Sequence, residues 1–176
     1  MDGLPPPVRS AVETWIEGVV IAQALCPFAA RPYADGEVHL EVLPVAHDRA
    51  LTAVYKRATQ MVQHASPETT LFIDAGHSLD PFSRFLTFQS MAEELLEQHF
   101  PKTYVTAGFH PDYRFADVDD GDVTHAIHQS PVPIVQLLRC DSVAFAKTHH
   151  DVGAILERNR VRAAELGAAY FARYRG

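Results

Sequence analysis

The sequence predicts an α/β fold: one mixed sheet of four strands flanked by helices, with further helices at both ends of the chain packed on it. Short β-rich segments occur at about residues 38-43, 69-74, 103-109 and 134-138. Segments with helical spacing of apolar residues separate the first three, which is typical of βαβ units with right-handed crossovers. The fourth segment follows a long loop instead of a helix, so the pattern leaves its direction open.

Length and composition predict one soluble domain covering residues 1-176, since this length supports one full hydrophobic core. The net charge of -7 argues against a nucleic-acid partner, which needs an excess of Lys and Arg against phosphates. Two cysteines are too few for a disulfide scaffold, and the sequence has neither a signal-peptide pattern nor a long apolar span. A cytoplasmic protein without a membrane partner is therefore expected.

The helices are placed by capping and breaking residues. Ser10 and Glu13 have the capping-box spacing, and the helix they open must end before Pro27. Asp48 and Asp80 are suited to cap the second and third helices, which precede and follow the second strand. The tail from residue 141 to 174 is expected to be mostly helical, with breaks around 149-151 and near 159.

Cys26 is predicted to lie at the C-terminal end of the first helix. The helix dipole there disfavours a thiolate, which argues against a nucleophile. We interpret Cys26 as a packed small hydrophobic residue, with a metal ligand and a reactive thiol as the alternatives.

The most conspicuous stretch runs from Gly108 to Ala116, where a strand ends in a long polar loop. His110 comes directly after the strand, at the position where α/β sheets usually bind ligands, and its imidazole suits proton transfer. Arg139 follows the fourth strand and could clamp a carboxylate or phosphate, or else pair with a loop aspartate. We expect His110 and Arg139 to face each other across one cleft.

The loop supplies the secondary candidates. Ser130, His128, Tyr113 and Arg114 are expected to contribute substrate contacts. His125 and His128 are three residues apart and could share a metal, although no third ligand has a recognisable spacing. The four aspartates at 117, 119, 120 and 122 do not fit the calcium-loop template, because Asp122 and His128 occupy its glycine and glutamate positions. They are interpreted as a solvated turn.

Several segments together resemble a bacterial family known as domain of unknown function 1415. They are Leu25-Cys26-Pro27-Phe28-Ala29, Glu68-Thr69-Thr70-Leu71, 109-116, Ser130-Pro131-Val132-Pro133, Leu137-Leu138-Arg139, Arg158-Asn159 and Leu166-Gly167. The resemblance implies a single cytosolic domain of bacterial origin without an assigned reaction, and it draws attention to Cys26, His110, Ser130 and Arg139.

The sequence departs from the family pattern at two places. His128-Gln129 stands where the family usually has Asn-Arg, and Gln136 stands where it usually has His before Leu-Leu-Arg. A metal site that needed the second histidine, or an anion site that needed the arginine, would lack that residue here.

Three functional hypotheses follow. The first is an enzyme acting on a small polar or anionic metabolite, with His110 as general acid/base and Arg139 as substrate anchor. The second is a metal- or haem-dependent oxidoreductase with His110 as ligand and His128, His125 or Cys26 as further ligands. The third is a non-enzymatic protein-binding adaptor, for which we expect an exposed apolar patch and no enclosed pocket.

Overall fold

A computed structural model describes residues 3-149 and 151-175, with the side chains of His149 and Val152 left undescribed. Its sheet consists of β1 (Val38–Val42), β2 (Thr69–Ile73), β3 (Tyr104–Phe109) and β4 (Ile134–Arg139). The strand order is β1-β2-β4-β3, with β1 parallel to β2 and β4 antiparallel to both of its neighbours. The predicted mixed four-stranded sheet is thus confirmed.

The antiparallel direction of β4 decides which residues meet. Phe109 pairs with Ile134 and Tyr104 pairs with Arg139, so β4 begins where β3 ends. We call the edge at which β1, β2 and β3 end the carboxyl edge, and the opposite edge, at which β4 ends, the amino edge. His110 lies at the carboxyl edge and Arg139 at the amino edge.

The helical elements are α1 (Pro6–Trp15), a π-helical turn (Ile16–Ile21), α2 (Ala30–Ala34), α3 (His47–Gln63), α4 (Phe82–His99), a 3-10 helix (Val123–His128), α5 (Cys140–His149), α6 (Val152–Leu166) and α7 (Ala168–Ala172). None of these described helices is long and apolar enough to cross a membrane.

Helix ends differ from the prediction in several places. α1 begins at Pro6 rather than Ser10, because a proline's fixed φ suits the first turn and its missing N–H costs nothing there. Asp48 lies in the first turn of α3, and Ala46 is the capping residue. α6 continues through Asn159 and ends at Leu166, and the next residue, Gly167, has a φ of 72° that favours glycine. The break predicted around residues 149-151 separates α5 from α6, although His150 itself lies outside the described residues.

The sheet packs helices on both faces, because successive side chains of a strand point to opposite sides. Leu71 and Ile73 of β2 belong to one buried cluster with α1, the π-helical turn, α6 and α7. Phe72, between them, belongs to a second cluster with α3 and α4.

Candidate functional site

His110 is fully buried, and both of its ring nitrogens have hydrogen-bond partners. Its Nδ1 accepts from the backbone N–H of Asp112 at 3.0 Å, so the proton lies on Nε2. Nε2 then donates to the carbonyl of Leu79 at 3.0 Å. The imidazole thus ties the turn after β2 to the turn after β3, and proton transfer would require breaking one of these bonds.

The Leu79 turn is held from a second side by Asp74, which the sequence analysis did not single out. Asp74 follows β2 and is fully buried. Its carboxylate accepts from the N–H of Leu79 at 2.6 Å and from the hydroxyl of Ser78 at 3.0 Å. A buried carboxylate with these partners stabilises the turn that receives the His110 bond.

Arg139 does not share a cleft with His110, and that prediction is wrong. β4 runs antiparallel to β3, which carries Arg139 to the amino edge. There its Nη2 donates to three carbonyls of the loop after α3, those of His64 at 2.8 Å, Ala65 at 3.1 Å and Pro67 at 3.1 Å. These bonds give the guanidinium a structural role at this loop.

Two of the loop candidates are also committed to backbone groups. His125 is buried, its Nδ1 accepts from the N–H of Phe115 at 3.1 Å, and its Nε2 donates to the carbonyl of Asp119 at 2.9 Å. Ser130 is buried and donates to the carbonyl of Val132 at 2.6 Å. Both side chains therefore fold the long loop back onto itself.

The acidic part of the loop has partners within the loop. Arg114 donates to Asp120 at 2.8 Å, with both side chains largely exposed. Asp122 caps the 3-10 helix by accepting from the backbone N–H of Thr124, and hydrogen bonding to Thr124 lowers the pKa of Asp122. These contacts fit a solvated turn.

His128 differs from the other two histidines of this region. Its Nδ1 donates to the carbonyl of Gly108 at 3.0 Å, whereas Nε2 has no hydrogen-bond partner in the described part of the chain. The ring stacks on Phe109 at 5.1 Å between centroids, and it also contacts Tyr113 at 4.8 Å and Phe115 at 5.1 Å. Desolvation in this aromatic cluster lowers the pKa of His128, and the bond to Gly108 only partly offsets it.

The predicted ligand residues His110, His125, His128 and Cys26 are not brought together as a group of three or more in the described part of the chain. Within residues 3-149 and 151-175, no group of three or more His, Cys, Asp or Glu side chains is placed to hold a metal ion. Cys26 is exposed rather than packed. Neighbouring protein atoms nevertheless desolvate its thiol and raise the pKa of Cys26, against the opposing hydrogen bonds from Phe28 and Ala29.

A groove of about 780 Å³ lies at the amino edge, far from His110. It is bounded by the segment that contains α2, by the residues before β1 and β2, and by α5. Its apolar lining consists of Pro27, Phe28, Pro32, Phe145 and Ala146, and its polar lining consists of Arg31, Asp35, Glu37, Glu68, Asp141 and Ser142. Phe145 is 67% exposed and Phe28 is 36% exposed. Both aromatic side chains thus present apolar surface at the groove.

Carboxylates dominate the charges of the groove. Glu37 and Glu68 precede the paired residues Val38 and Thr69, and the N–H of Glu68 donates to the carbonyl of Glu37 at 2.9 Å. Both glutamates are half-buried, and the described residues supply no ion pair for either. The one arginine of the lining, Arg31, pairs with Asp35 at 3.5 Å. Acidic side chains therefore outnumber basic ones in the lining of this apolar groove.

The walls of the groove are fixed by bonds from other parts of the chain. Arg158 donates to the carbonyl of Ala24 at 2.7 Å, and Asn159 donates to the carbonyl of Leu25 at 2.8 Å. These bonds from α6 hold the turn that leads into Pro27. Arg139 holds Pro67, the residue before Glu68, on the other wall.

No local sequence pattern predicts this groove, because its walls come from segments far apart in the chain. The available signal was Phe145, a large apolar residue in a segment without an apolar stripe.

The comparisons with known proteins agree with the resemblance drawn from the quoted segments. No curated protein and no solved structure matches the chain. The sequence model of the family described as "Protein of unknown function (DUF1415)" matches residues 7–173. The match spans nearly all of the chain, and the chain therefore belongs to this family.

Proposed function

We propose that this protein is a non-enzymatic binding module that docks a segment of a partner protein in the groove between the α2 segment and α5. The observation that carries the proposal is the open apolar groove of about 780 Å³ with Phe28 and Phe145 at its surface. Aromatic side chains in such a setting supply much of the energy of protein interfaces, because they bury a large rigid surface at low entropic cost.

The carboxyl edge gives less support to an enzyme built on His110 and Arg139. Both ring nitrogens of His110 are bonded to the backbone, and Arg139 lies at the other edge of the sheet. A metal enzyme with a site of three or more protein ligands likewise has no such group within the described residues to rest on.

The proposal is tested by selecting peptides from a random displayed library on the purified protein and measuring their dissociation constants by fluorescence polarisation. Phe145→Ala should weaken binding about tenfold or more, as loss of an aromatic anchor does in other interfaces. It should change the unfolding free energy by no more than about 0.5 kcal/mol, because the side chain is largely exposed.

The matched control is Leu86→Ala on α4, a 47% exposed apolar residue outside the groove, which should leave binding unchanged. The proposal fails if no peptide is enriched, or if the enriched peptides bind Phe145→Ala as tightly as the wild type.

A further inference from the structure

β3 is an edge strand, with β4 on one side and no strand on the other. At its end the outer side is closed by the long loop. The N–H of His110 donates to the carbonyl of His128 at 3.2 Å, and the carbonyl of Gly108 accepts from the His128 ring at 3.0 Å. Alternate residues of a strand direct their N–H and C=O groups to the same side, so those of Thr106 also point outward, away from β4.

The outer side of β3 is open at Thr106. Its outward N–H and C=O form no hydrogen bond to another described residue, and Val105 beside it is 40% exposed on the opposite face of the sheet. Free backbone groups of an edge strand are a template for a further strand, and proteins usually protect such edges with charged side chains. The other edge strand, β1, has this protection, because its Glu41 accepts from Arg57 at 2.7 Å. β3 contains no charged residue.

The charge beside Thr106 indicates which strand would fit. The Thr106 hydroxyl faces α4, where it donates to the carboxylate of Glu93 and accepts from Gln89 at 3.0 Å. Glu93 is exposed and forms no ion pair with another described residue. A residue of an added strand opposite Thr106 would direct its side chain to this same face, next to the carboxylate. Lysine or arginine suits that position.

A second copy of this chain suits the edge less well. Antiparallel pairing of two β3 strands would bring a second Glu93 to the same edge, and like charges across a strand pair destabilise it. Each copy also carries a net charge of -7, which adds to the repulsion. A segment of another protein can supply the basic residue, and the residues on either side of it would cover Val105 on the opposite face.

We propose that the free edge of β3 accepts an extended segment of a partner protein as a fifth, antiparallel strand, with Lys or Arg opposite Thr106 and an apolar residue beside Val105. In the antiparallel direction, the residue opposite Thr106 exchanges both backbone bonds with it. These bonds supply affinity, and the side chains on the two faces supply specificity. The edge shares no lining residue with the groove, so this proposal does not rest on the proposed function.

The test selects peptides from a random displayed library on Phe145→Ala, so that peptides for the groove are disfavoured, and measures dissociation constants by fluorescence polarisation. Enriched peptides should carry Lys or Arg between apolar residues. Thr106→Pro removes the outward N–H and keeps the bonds to β4, since proline is tolerated on the free side of an edge strand. Added to Phe145→Ala, it should weaken binding about tenfold or more.

Two further substitutions in the same background isolate the backbone and the charge. Thr106→Val keeps the N–H and is the matched control, which should change binding less than about twofold. Glu93→Gln removes the charge and should weaken binding about threefold, as expected for an exposed ion pair.

A change in the peptide decides the case in which Thr106→Pro does not fold. Methylating the backbone nitrogen of the basic residue removes the N–H that bonds to the carbonyl of Thr106, and it should weaken binding about tenfold or more. Methylating the next nitrogen, which points away from the edge, is the control and should change binding less than about twofold.

The proposal is overturned if no peptide is enriched on Phe145→Ala, if the enriched peptides lack a basic residue, or if methylation of that residue or a folded Thr106→Pro leaves binding unchanged. A wild-type dimer that Thr106→Pro dissociates in sedimentation velocity would also overturn it, because the edge would then be occupied by a second copy. None of these results bears on the groove, which is tested by peptides selected on the wild type and lost in Phe145→Ala.

Discussion

His110→Ala is expected to destabilise the protein severely, because the imidazole is a buried structural link. The side chain is fully buried and packs between Phe82 and Phe85, at ring-centroid distances of 5.3 and 5.2 Å. Truncating a buried side chain of this size costs about 2–4 kcal/mol. The buried carbonyl of Leu79 would also lose its donor, at a cost of about 1–3 kcal/mol. Water can replace the bond to the N–H of Asp112, which is exposed.

The expected total is a loss of about 3–7 kcal/mol, a large share of the stability of an ordinary domain. Equilibrium urea unfolding of the wild type, His110→Ala and the exposed control His64→Ala measures it. The control should change the unfolding free energy by about 0.5 kcal/mol or less. A loss below about 1 kcal/mol in His110→Ala would refute the reasoning, since it would mean that the ring is not needed for the fold.

Two further variants probe Arg139 and His128. Arg139→Met should lower the unfolding free energy by about 1–2 kcal/mol, mainly through its partly buried bond to Pro67, because water can serve the two exposed acceptors. Unchanged urea unfolding and unchanged proteolysis of the loop would contradict this. The pKa of His128 is lowered in the folded state, so its stabilisation is present above the ordinary value of about 6.5 and is lost as the pH falls below it. When the pH is lowered from 7.5 to 5.5, the unfolding free energy from urea titrations should therefore fall less in His128→Gln than in the wild type. If the unfolding free energies of both proteins fall equally with pH, the His128 ring is not desolvated in the folded state.

The candidate site shows where local sequence patterns stop being informative. The position of His110 at a strand end was correctly predicted, but its role depends on Leu79, which approaches from another strand end. Arg139 was also placed correctly at the end of its strand. The prediction that Arg139 faces His110 was wrong, because residues 134-139 do not indicate whether β4 runs parallel or antiparallel to β3.

The groove likewise depends on contacts between distant segments, which local sequence patterns do not contain. Pro27 and Phe145 are brought together by the fold, and the turn before Pro27 is held by Arg158 and Asn159 of α6. Hydrophobic periodicity describes one element at a time, so it cannot reveal a surface that is shared by three.

The sequence by itself determined the four strands, the helices between them and the α/β class, because these depend on side-chain periodicity and on helix-breaking residues within short windows. Only the tertiary structure decided the strand order and the direction of β4. These in turn separated His110 from Arg139, placed His110 Nε2 and Arg139 Nη2 in hydrogen bonds to backbone carbonyls, and left an acidic apolar groove at the amino edge. The physical reason is that hydrogen-bond partners and shared surfaces are set by distances between segments, which no local pattern contains.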